Sequence, residues 1–135
     1  FTMLKFRTMK ADAEAASGPV WAQAIDDRRT TFGTFLRKTS LDEIPQVINI
    51  LKGDMSIVGP RPTSFAASTY QLWQTERLEV LPGLTGLWQI GGRSDLDFDD
   101  RLKLDIQYIE NRSIWLDLQI LVRTVTVIFT QKGAY

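Results

Sequence analysis

The stretch that decides the fold spans residues 39–62 and reads TSLDEIPQVINILKGDMSIVGPRP. Four apolar residues in it follow the helical spacing i, i+3, i+4 and i+7: Ile44, Val47, Ile48 and Leu51. This spacing predicts an amphipathic helix, and Gly53 is of the type that commonly ends one. The apolar run 55–58 then predicts a short buried strand before the turn residues at 59–62. A helix followed so closely by a strand indicates a mixed domain.

The segments on either side extend this pattern. Strands are predicted at 2–8 and 87–90, and helical segments at 10–17, 30–38, 64–79, 97–111 and 114–130. Glycine-bearing turns at 82–86 and 91–93 separate the later elements. We therefore predict an α+β fold: a small mixed domain with several amphipathic helices, short strands and many loops. The length of 135 residues fits a single domain, 1–135.

Composition narrows the chemistry that the chain can perform. Hydrophobic residues make up 44% of it, enough for a core, and 16 basic residues balance 16 acidic ones. Balanced charge argues against a dedicated nucleic-acid binder. The chain has no His and no Cys, which excludes imidazole bases, cysteine nucleophiles and the usual zinc sites. An enzyme of this composition works with carboxylates, hydroxyls, Lys, Arg and a hard cation bound by oxygen.

The acidic pair Asp42-Glu43 stands where the clearest predicted helix begins. Ser40 and Glu43 have the spacing of a capping box, and Asp42 is an alternative N-cap. In either register, the N–H groups at the helix start favour a carboxylate and an adjacent phosphate. The ordinary alternative is that the two acids only cap the helix.

Cationic residues at three further places are candidates for binding phosphate. They are Lys5 and Arg7 in the first strand, Arg37 beside Lys38, and Arg61 between two prolines. A guanidinium on a proline-restricted loop suits bidentate phosphate binding. The ordinary alternative is that these residues form ion pairs at the ends of strands and helices and bind no ligand.

The C-terminal stretch 114–129 is strongly apolar, with Asp117, Gln119 and Arg123 inside it. It is shorter than the roughly 20 apolar residues that span a bilayer. Such a helix fits a membrane interface, with Trp115 at headgroup level, or the core of the domain, and both interpretations stay open. The chain also starts inside a predicted strand, so we expect a fragment whose N-terminal part is missing.

Five ordered motifs resemble the bacterial sugar transferase family, the monotopic polyprenyl-phosphate phosphoglycosyl transferases. They are KFRTM at 5–9, LRKTSLDEIPQ at 36–46, LKGDMSIVGPRP at 51–62, PGLTGLWQ at 82–89 and YIEN at 108–111. The closing segment 116–135 is similar to the exopolysaccharide-priming branch. The likeness covers nearly the whole chain except about 11–30 and 63–79.

This resemblance implies a mechanism and a set of site residues. Asp42 would be the nucleophile that attacks the sugar-linked phosphate of a UDP-sugar, expels UMP and forms an aspartyl sugar-phosphate. Polyprenyl (undecaprenyl) phosphate would then accept the sugar phosphate, and Glu43 would help to hold Mg²⁺. The residues implied in substrate and phosphate binding are Arg61, Lys5, Arg7, Arg37, Gln89 and Arg93.

The resemblance also implies a setting: a catalytic domain at the membrane surface, on the cytoplasmic face of the bacterial inner membrane. The family carries an N-terminal hydrophobic re-entrant anchor that this chain lacks, and a homo-oligomer is left open. Two alternatives remain, a non-catalytic module that binds nucleotide sugar or phosphate and a peripheral membrane module. A glycosidase is disfavoured, because adjacent acids on one turn are poorly placed to flank a glycosidic bond from both sides.

Overall fold

The structure is a computed structural model that describes residues 1–13, 15, 26–63, 67–91 and 96–130. Within these ranges the helices are α1 (Thr31–Lys38), α2 (Gln46–Leu51), α3 (Leu87–Gly91), α4 (Phe98–Glu110) and α5 (Ile114–Thr130). The strands are β1 (Ser56–Val58) and β2 (Gly83–Thr85), and 3₁₀ helices occupy Leu41–Glu43, Ala67–Thr69 and Leu72–Leu78. The predicted α+β fold class is confirmed.

The helices predicted at 30–38, 97–111 and 114–130 are confirmed as α1, α4 and α5. Thr30 accepts a hydrogen bond from the backbone N–H of Gly33 at 2.9 Å, where α1 begins. Asp97 accepts one from the N–H of Asp100 at 2.8 Å, where α4 begins. Side chains of this kind satisfy N–H groups that have no partner inside the helix, so local sequence sets these boundaries.

The predicted strand at 87–90 is wrong, because these residues form α3 and the strand lies just before them. Strands β1 and β2 are parallel, with Ser56 opposite Gly83 and Val58 opposite Thr85. A glycine pattern ordinarily indicates a turn. Here the missing side chain lets two backbones approach, since an added Cβ at Gly83 would lie 2.1 Å from the backbone nitrogen of Gly59.

The predicted strand at 2–8 is also wrong, because this segment bonds to a turn and a side chain instead of to another strand. The N–H of Phe6 donates to the carbonyl of Asp42 at 2.9 Å. The N–H of Leu4 donates to Oδ1 of Asn49 at 2.9 Å. These bonds fasten the N-terminal segment to the part of the chain that carries the acidic pair.

Two further predicted helices are described only in part. In the segment 10–17, residues 14, 16 and 17 lie outside the described ranges, and residues 11–13 form turns. In the segment 64–79, residues 64–66 lie outside them, and the rest contains two 3₁₀ helices instead of one α-helix. Side chains at i and i+3 eclipse in a 3₁₀ helix, which places Gln74 and Arg77 on one buried face.

Helix α2 is turned so that its polar residues are buried and its apolar residues are exposed. Gln46 and Asn49 are 0% and 2% exposed. The apolar residues that predicted the helix are all exposed: Ile44, Val47, Ile48 and Leu51. An apolar helix face ordinarily packs on the core, and an exposed one marks a surface that contacts something else.

The core lies between α4, α5 and the two strands. Val58, Tyr108 and Ile120 are buried together there, and Oη of Tyr108 donates to Oδ1 of Asp117 at 2.7 Å. Burial raises the pKa of Tyr108, so its hydroxyl stays a neutral donor. Helix α5 packs on α3 and both strands, while α4 packs on α3 and on Leu72–Leu78. This packing fixes the two strands that lead into the site.

Gly83→Ala is expected to lower the free energy of unfolding by more than about 2 kcal/mol, because the clash is with backbone. The matched variant is Gly53→Ala: Gly53 has φ 81°, and an added Cβ meets no atom within 4 Å. Backbone strain there costs about 1 kcal/mol. Urea unfolding followed by circular dichroism measures both. An equal or smaller loss at Gly83 contradicts the close approach of the strands.

Candidate active site

The acidic pair lies in the 3₁₀ turn Leu41–Glu43, ahead of α2 instead of at its first residues. Ser40 has φ 58°, and its side chain makes no capping hydrogen bond. Pro45 is the residue that precedes the first turn of α2. Both capping predictions, with Ser40 or with Asp42 as N-cap of this helix, are therefore wrong. The turn leaves Asp42 buried and Glu43 partly exposed.

Lys5 contacts both members of the acidic pair. Its Nζ lies 3.0 Å from Oδ2 of Asp42 and 3.7 Å from Oε1 of Glu43. The Asp42 side chain is 3% exposed, against 31% for Lys5. Burying a carboxylate is costly unless a cation or a hydrogen-bond donor accompanies it. Lys5 therefore compensates the buried charge of Asp42 from the more open side of the site.

Arg61 holds the second member of the pair. Its guanidinium forms an ion pair with Oε1 of Glu43, and its Nη1 donates to Oε2 at 3.3 Å. The same Nη1 donates to the carbonyl of Leu84 in β2 at 3.2 Å. Nε2 of Gln89 donates to that carbonyl at 3.4 Å. The Leu84 carbonyl thus aligns Arg61 and Gln89 beside Glu43.

Among the described residues, the other cations predicted to bind phosphate do not form ion pairs with the acidic pair as Lys5 and Arg61 do. Nε of Arg37 donates to Oγ1 of Thr8 at 2.8 Å. Burial lowers the pKa of Arg37, and the field of Asp42 opposes this, so Arg37 is within electrostatic reach of the pair. Arg7 is exposed and, within the described ranges, forms no ion pair with either carboxylate. Arg93 lies outside the described residues.

An apolar cavity of about 240 Å³ opens beside Glu43. Its apolar lining comes from the turn before α2 and from α2, β1, α3 and α5: Ile44, Val47, Ile57, Ile90, Leu121 and Val127. Gln89, Thr85 and Thr124 add polar groups, and the two threonine hydroxyls lie 2.7 Å apart. The cavity therefore connects the charged cluster with the apolar faces of α2 and α5.

Sequence reasoning missed a second ion pair close to Arg61. Nη2 of Arg77 lies 2.9 Å from Oδ2 of Asp105, and both side chains are almost fully buried. Arg77 also donates to the backbone carbonyl of Arg61. Burial raises the pKa of Asp105 to about 7, although the Arg77 guanidinium lowers it. The two residues belong to separate elements and to no local motif, so the sequence contains no signal that pairs them.

Ionisation of Asp105 is expected to make the free energy of unfolding depend on pH. The folded-state pKa is raised from 3.8 to about 7, so the folded protein holds this proton more tightly. The resulting stabilisation is complete below about pH 4 and is lost as the pH rises through about 7. Asp105→Asn removes this pH-dependent stabilisation. The free energy of unfolding of the variant minus that of the wild type should therefore rise as the pH increases from about 4 to about 7. Urea unfolding at several pH values measures the difference, and a constant difference contradicts the assignment.

A buried aspartate flanked by a glutamate, a lysine and an arginine beside an apolar cavity suits group transfer. The sequence pattern described as Bacterial sugar transferase matches residues 1–131. The chain therefore belongs to the bacterial sugar transferase family.

Three curated relatives show how far this similarity extends. The chain is 45% identical over 146 residues to galactosyl transferase CpsE of Streptococcus agalactiae, covering 99% of the chain and 32% of the relative. It is 41% identical over 150 residues to the undecaprenyl-phosphate galactose phosphotransferase of Salmonella typhimurium, covering 100% and 32%. It is 42% identical over 146 residues to the UDP-glucose:undecaprenyl-phosphate glucose-1-phosphate transferase of Caulobacter vibrioides, covering 100% and 54%. The chain spans about a third of the length of the first two.

Proposed function

We propose that the protein is a phosphoglycosyl transferase that moves a sugar 1-phosphate from a UDP-sugar to undecaprenyl phosphate and releases UMP. The observation that carries the proposal is the buried Asp42 carboxylate, paired with Lys5 and adjacent to the Glu43–Arg61 ion pair. The names of the Salmonella and Caulobacter relatives support the acceptor and donor classes. A further relative, the exopolysaccharide production protein ExoY of Rhizobium meliloti, supports a role in exopolysaccharide production, and we propose that the reaction is the first membrane step of that assembly.

In the first half-reaction, a carboxylate oxygen of Asp42 attacks the phosphorus that carries the sugar. A P–O bond to Asp42 forms while the bond from that phosphorus to the bridging diphosphate oxygen breaks. UMP leaves with this oxygen and its electron pair, and an aspartyl sugar-phosphate remains. Lys5 and Arg61 lie beside the carboxylates and offset the negative charge that develops on the transferred group.

In the second half-reaction, an oxygen of undecaprenyl phosphate attacks the same phosphorus. The P–O bond to Asp42 breaks, the carboxylate is regenerated, and the sugar leaves on a lipid diphosphate. A phosphate monoester is largely dianionic at neutral pH, so the acceptor oxygen needs no general base. This agrees with a chain that has no His and no Cys.

Mg²⁺ is the proposed cofactor, and the oxygen donors at the site fit it. Mg²⁺ commonly uses one or two carboxylates, with water and substrate phosphates as its other ligands. Glu43 would hold the ion beside Asp42, and the described ranges contain no larger acidic cluster that would form a complete protein site. The bound ion would neutralise charge on the diphosphate and the leaving group.

The membrane surface is proposed as the place where the reaction occurs. Helix α5 exposes apolar residues along one face at alternating spacings of three and four: Trp115, Leu118, Val122, Val125 and Phe129. In the described part of the chain, none of the helices combines the length and apolarity required to cross a bilayer. A helix with one exposed apolar face suits an interfacial position. We propose the cytoplasmic face of the inner membrane, because nucleotide sugars are supplied there.

The apolar cavity supports a lipid acceptor. Ile44 before α2, Val47 of α2, and Leu121 and Val127 of α5 line it, and Glu43 forms part of its wall. The first isoprene units of the acceptor would enter this cavity from the membrane and bring the lipid phosphate toward Asp42. This route joins an apolar lining to a charged cluster, as an amphiphilic substrate requires.

The double variant Trp115→Ser and Phe129→Ser is expected to weaken binding of this chain to anionic phospholipid vesicles by about 10-fold or more, since two exposed aromatic side chains that would enter the membrane interface are lost. Cosedimentation with vesicles of phosphatidylglycerol measures it. The matched control, Leu72→Ser with Leu78→Ser, removes two exposed apolar residues from another element. Equal losses from both double variants would show that exposed apolar area, and not this helix face, governs binding.

The proposed function is tested by measuring UMP release from a panel of UDP-sugars. The full-length protein in nanodiscs receives Mg²⁺ and undecaprenyl phosphate, and the lipid product is identified by mass spectrometry. UMP release with one donor, together with its lipid-linked sugar diphosphate, supports the proposal and names the sugar. Binding of a UDP-sugar without UMP release from any donor overturns it in favour of a non-catalytic binding module.

A further inference from the structure

The Arg77–Asp105 ion pair is buried and lies outside the carboxylate site. Arg77 belongs to the 3₁₀ helix Leu72–Leu78 and Asp105 to α4, and the side chains are 4% and 1% exposed. A buried ion pair contributes little net stability, because desolvating two charges offsets their attraction. Stability alone is therefore a weak explanation for this pair, and its other contacts indicate what it does.

Those contacts all lead to the loop that carries Arg61. The guanidinium of Arg77 donates to the backbone carbonyl of Arg61. Its Nη1 lies 3.4 Å from Oη of Tyr70, and its Cζ lies 5.9 Å from the centre of the Tyr70 ring. The same Tyr70 hydroxyl bonds to Oγ1 of Thr63. Arg77 and Tyr70 thus hold the loop at two points, one on each side of Pro62.

The loop transmits this constraint to the acidic pair. Pro60 and Pro62 restrict the backbone on both sides of Arg61, so the position of its carbonyl also limits the position of its side chain. The Arg61 side chain in turn contacts Glu43. A continuous series of contacts therefore runs from Asp105 through Arg77 and the Arg61 backbone to Glu43.

We infer that Arg77, oriented by Asp105, is a positioning residue for sugar-phosphate transfer: it keeps the Arg61 guanidinium on Glu43 without touching substrate. The inference rests on the proposed function, since the catalytic role of Arg61 belongs to that proposal. A displacement of a catalytic group by about 1 Å can cost about 100-fold in rate. Loss of the Arg77 contact should consequently appear mainly in kcat.

The test replaces both members of the pair, as Arg77→Met with Asp105→Leu. Exchanging a buried ion pair for apolar residues of similar volume often leaves stability unchanged or improved, so this double variant should fold. We expect an unchanged Tm, a kcat about 10- to 100-fold lower, and a KM for the UDP-sugar within about 3-fold of wild type. A folded double variant with wild-type kcat overturns the inference.

Two controls separate positioning from general loosening. Asp99→Ala breaks the 3.0 Å hydrogen bond from Gln74, a second side-chain contact between the same two helices, and should leave kcat unchanged. In an Arg61→Met background, the pair replacement should lower kcat by less than about 3-fold, because residues that act through each other are not additive. Fully additive losses contradict action through Arg61.

A second measurement does not depend on turnover. Hydrogen–deuterium exchange should become faster in the peptide covering 59–63 when the pair is replaced, and stay at the wild-type rate in Asp99→Ala. Unchanged exchange in that peptide overturns the inference. If the wild type releases no UMP from any donor, the proposed function fails by itself, and the exchange result still decides whether Arg77 positions the loop.

Discussion

Asp42→Asn is expected to reduce turnover by about 10⁴-fold or more, as the loss of a catalytic nucleophile commonly does. A neutral amide oxygen is a poor nucleophile toward phosphorus. The first step, in which the carboxylate of Asp42 forms a bond to phosphorus, is therefore lost, and no aspartyl intermediate is available for the second step. The replacement has nearly the same size, so the contact with Lys5, 3.0 Å in the wild type, is not blocked sterically. UMP release from the UDP-sugar identified in the panel measures the loss.

The same variant distinguishes covalent transfer from direct transfer. Without acceptor, the wild type should release a stoichiometric burst of UMP, and the peptide containing Asp42 should gain the mass of a sugar phosphate. Asp42→Asn should show neither. The control Asp27→Asn changes an exposed aspartate in a turn and should retain the full burst. A wild-type enzyme that turns over without any burst contradicts the covalent intermediate.

Arg61→Met is expected to lower kcat by about 10²- to 10³-fold, the range found when one group that stabilises developing charge is removed. The Arg61 guanidinium neutralises part of the negative charge near Glu43. Its hydrogen bond to the Leu84 carbonyl fixes the position of the guanidinium. Steady-state UMP release measures kcat and KM separately. The matched control is Lys103→Met, which removes a cation from an exposed ion pair with Asp100 on α4 and should leave both constants unchanged.

Arg61→Lys tests whether geometry matters in addition to charge. An ammonium group lacks the planar fork that lets one guanidinium bond to Glu43 and to the Leu84 carbonyl together. We therefore expect Lys to recover only part of the activity that Met loses. Full activity in Arg61→Lys would show that only a positive charge is required there, and it would also weaken the case for Arg77 as a positioning residue.

The orientation of α2 agrees with the proposed reaction at a membrane surface, because the helix has one buried polar side and one exposed apolar side. Its buried side carries Asn49, which bonds to the N-terminal segment that includes Lys5. Its exposed side carries Val47, which lines the cavity shared with α5 together with Ile44 of the preceding turn. The acidic pair in the preceding turn therefore lies between a polar interior and an apolar surface. This arrangement suits the proposed reaction between a water-soluble donor and a lipid acceptor.

Local features of the sequence determined a large part of this picture. Helices α1, α4 and α5 follow from apolar spacing and from caps such as Thr30 and Asp97, whose acceptors lie within one turn of the N–H groups they bind. The absence of His and Cys restricted the chemistry to oxygen nucleophiles and cations. The order of five motifs identified the family and the acidic pair. The helix boundaries, the restriction of the chemistry and the family motifs all depend on which residue types are present or on residues that are close together in the chain. Both can be read from the sequence alone.

Only the tertiary structure decided which residues meet. The sequence does not show that α2 buries Gln46 and Asn49, because an apolar stripe predicts a helix and leaves its partner surface unspecified. The glycines at 83 and 86 predicted a turn at residues 83–85, although parallel pairing with β1 makes these residues a strand. The Arg77–Asp105 pair depends on the packing of two helices. Contacts of this kind form between elements far apart in the chain, and their energies depend on burial, which no local pattern of residues records.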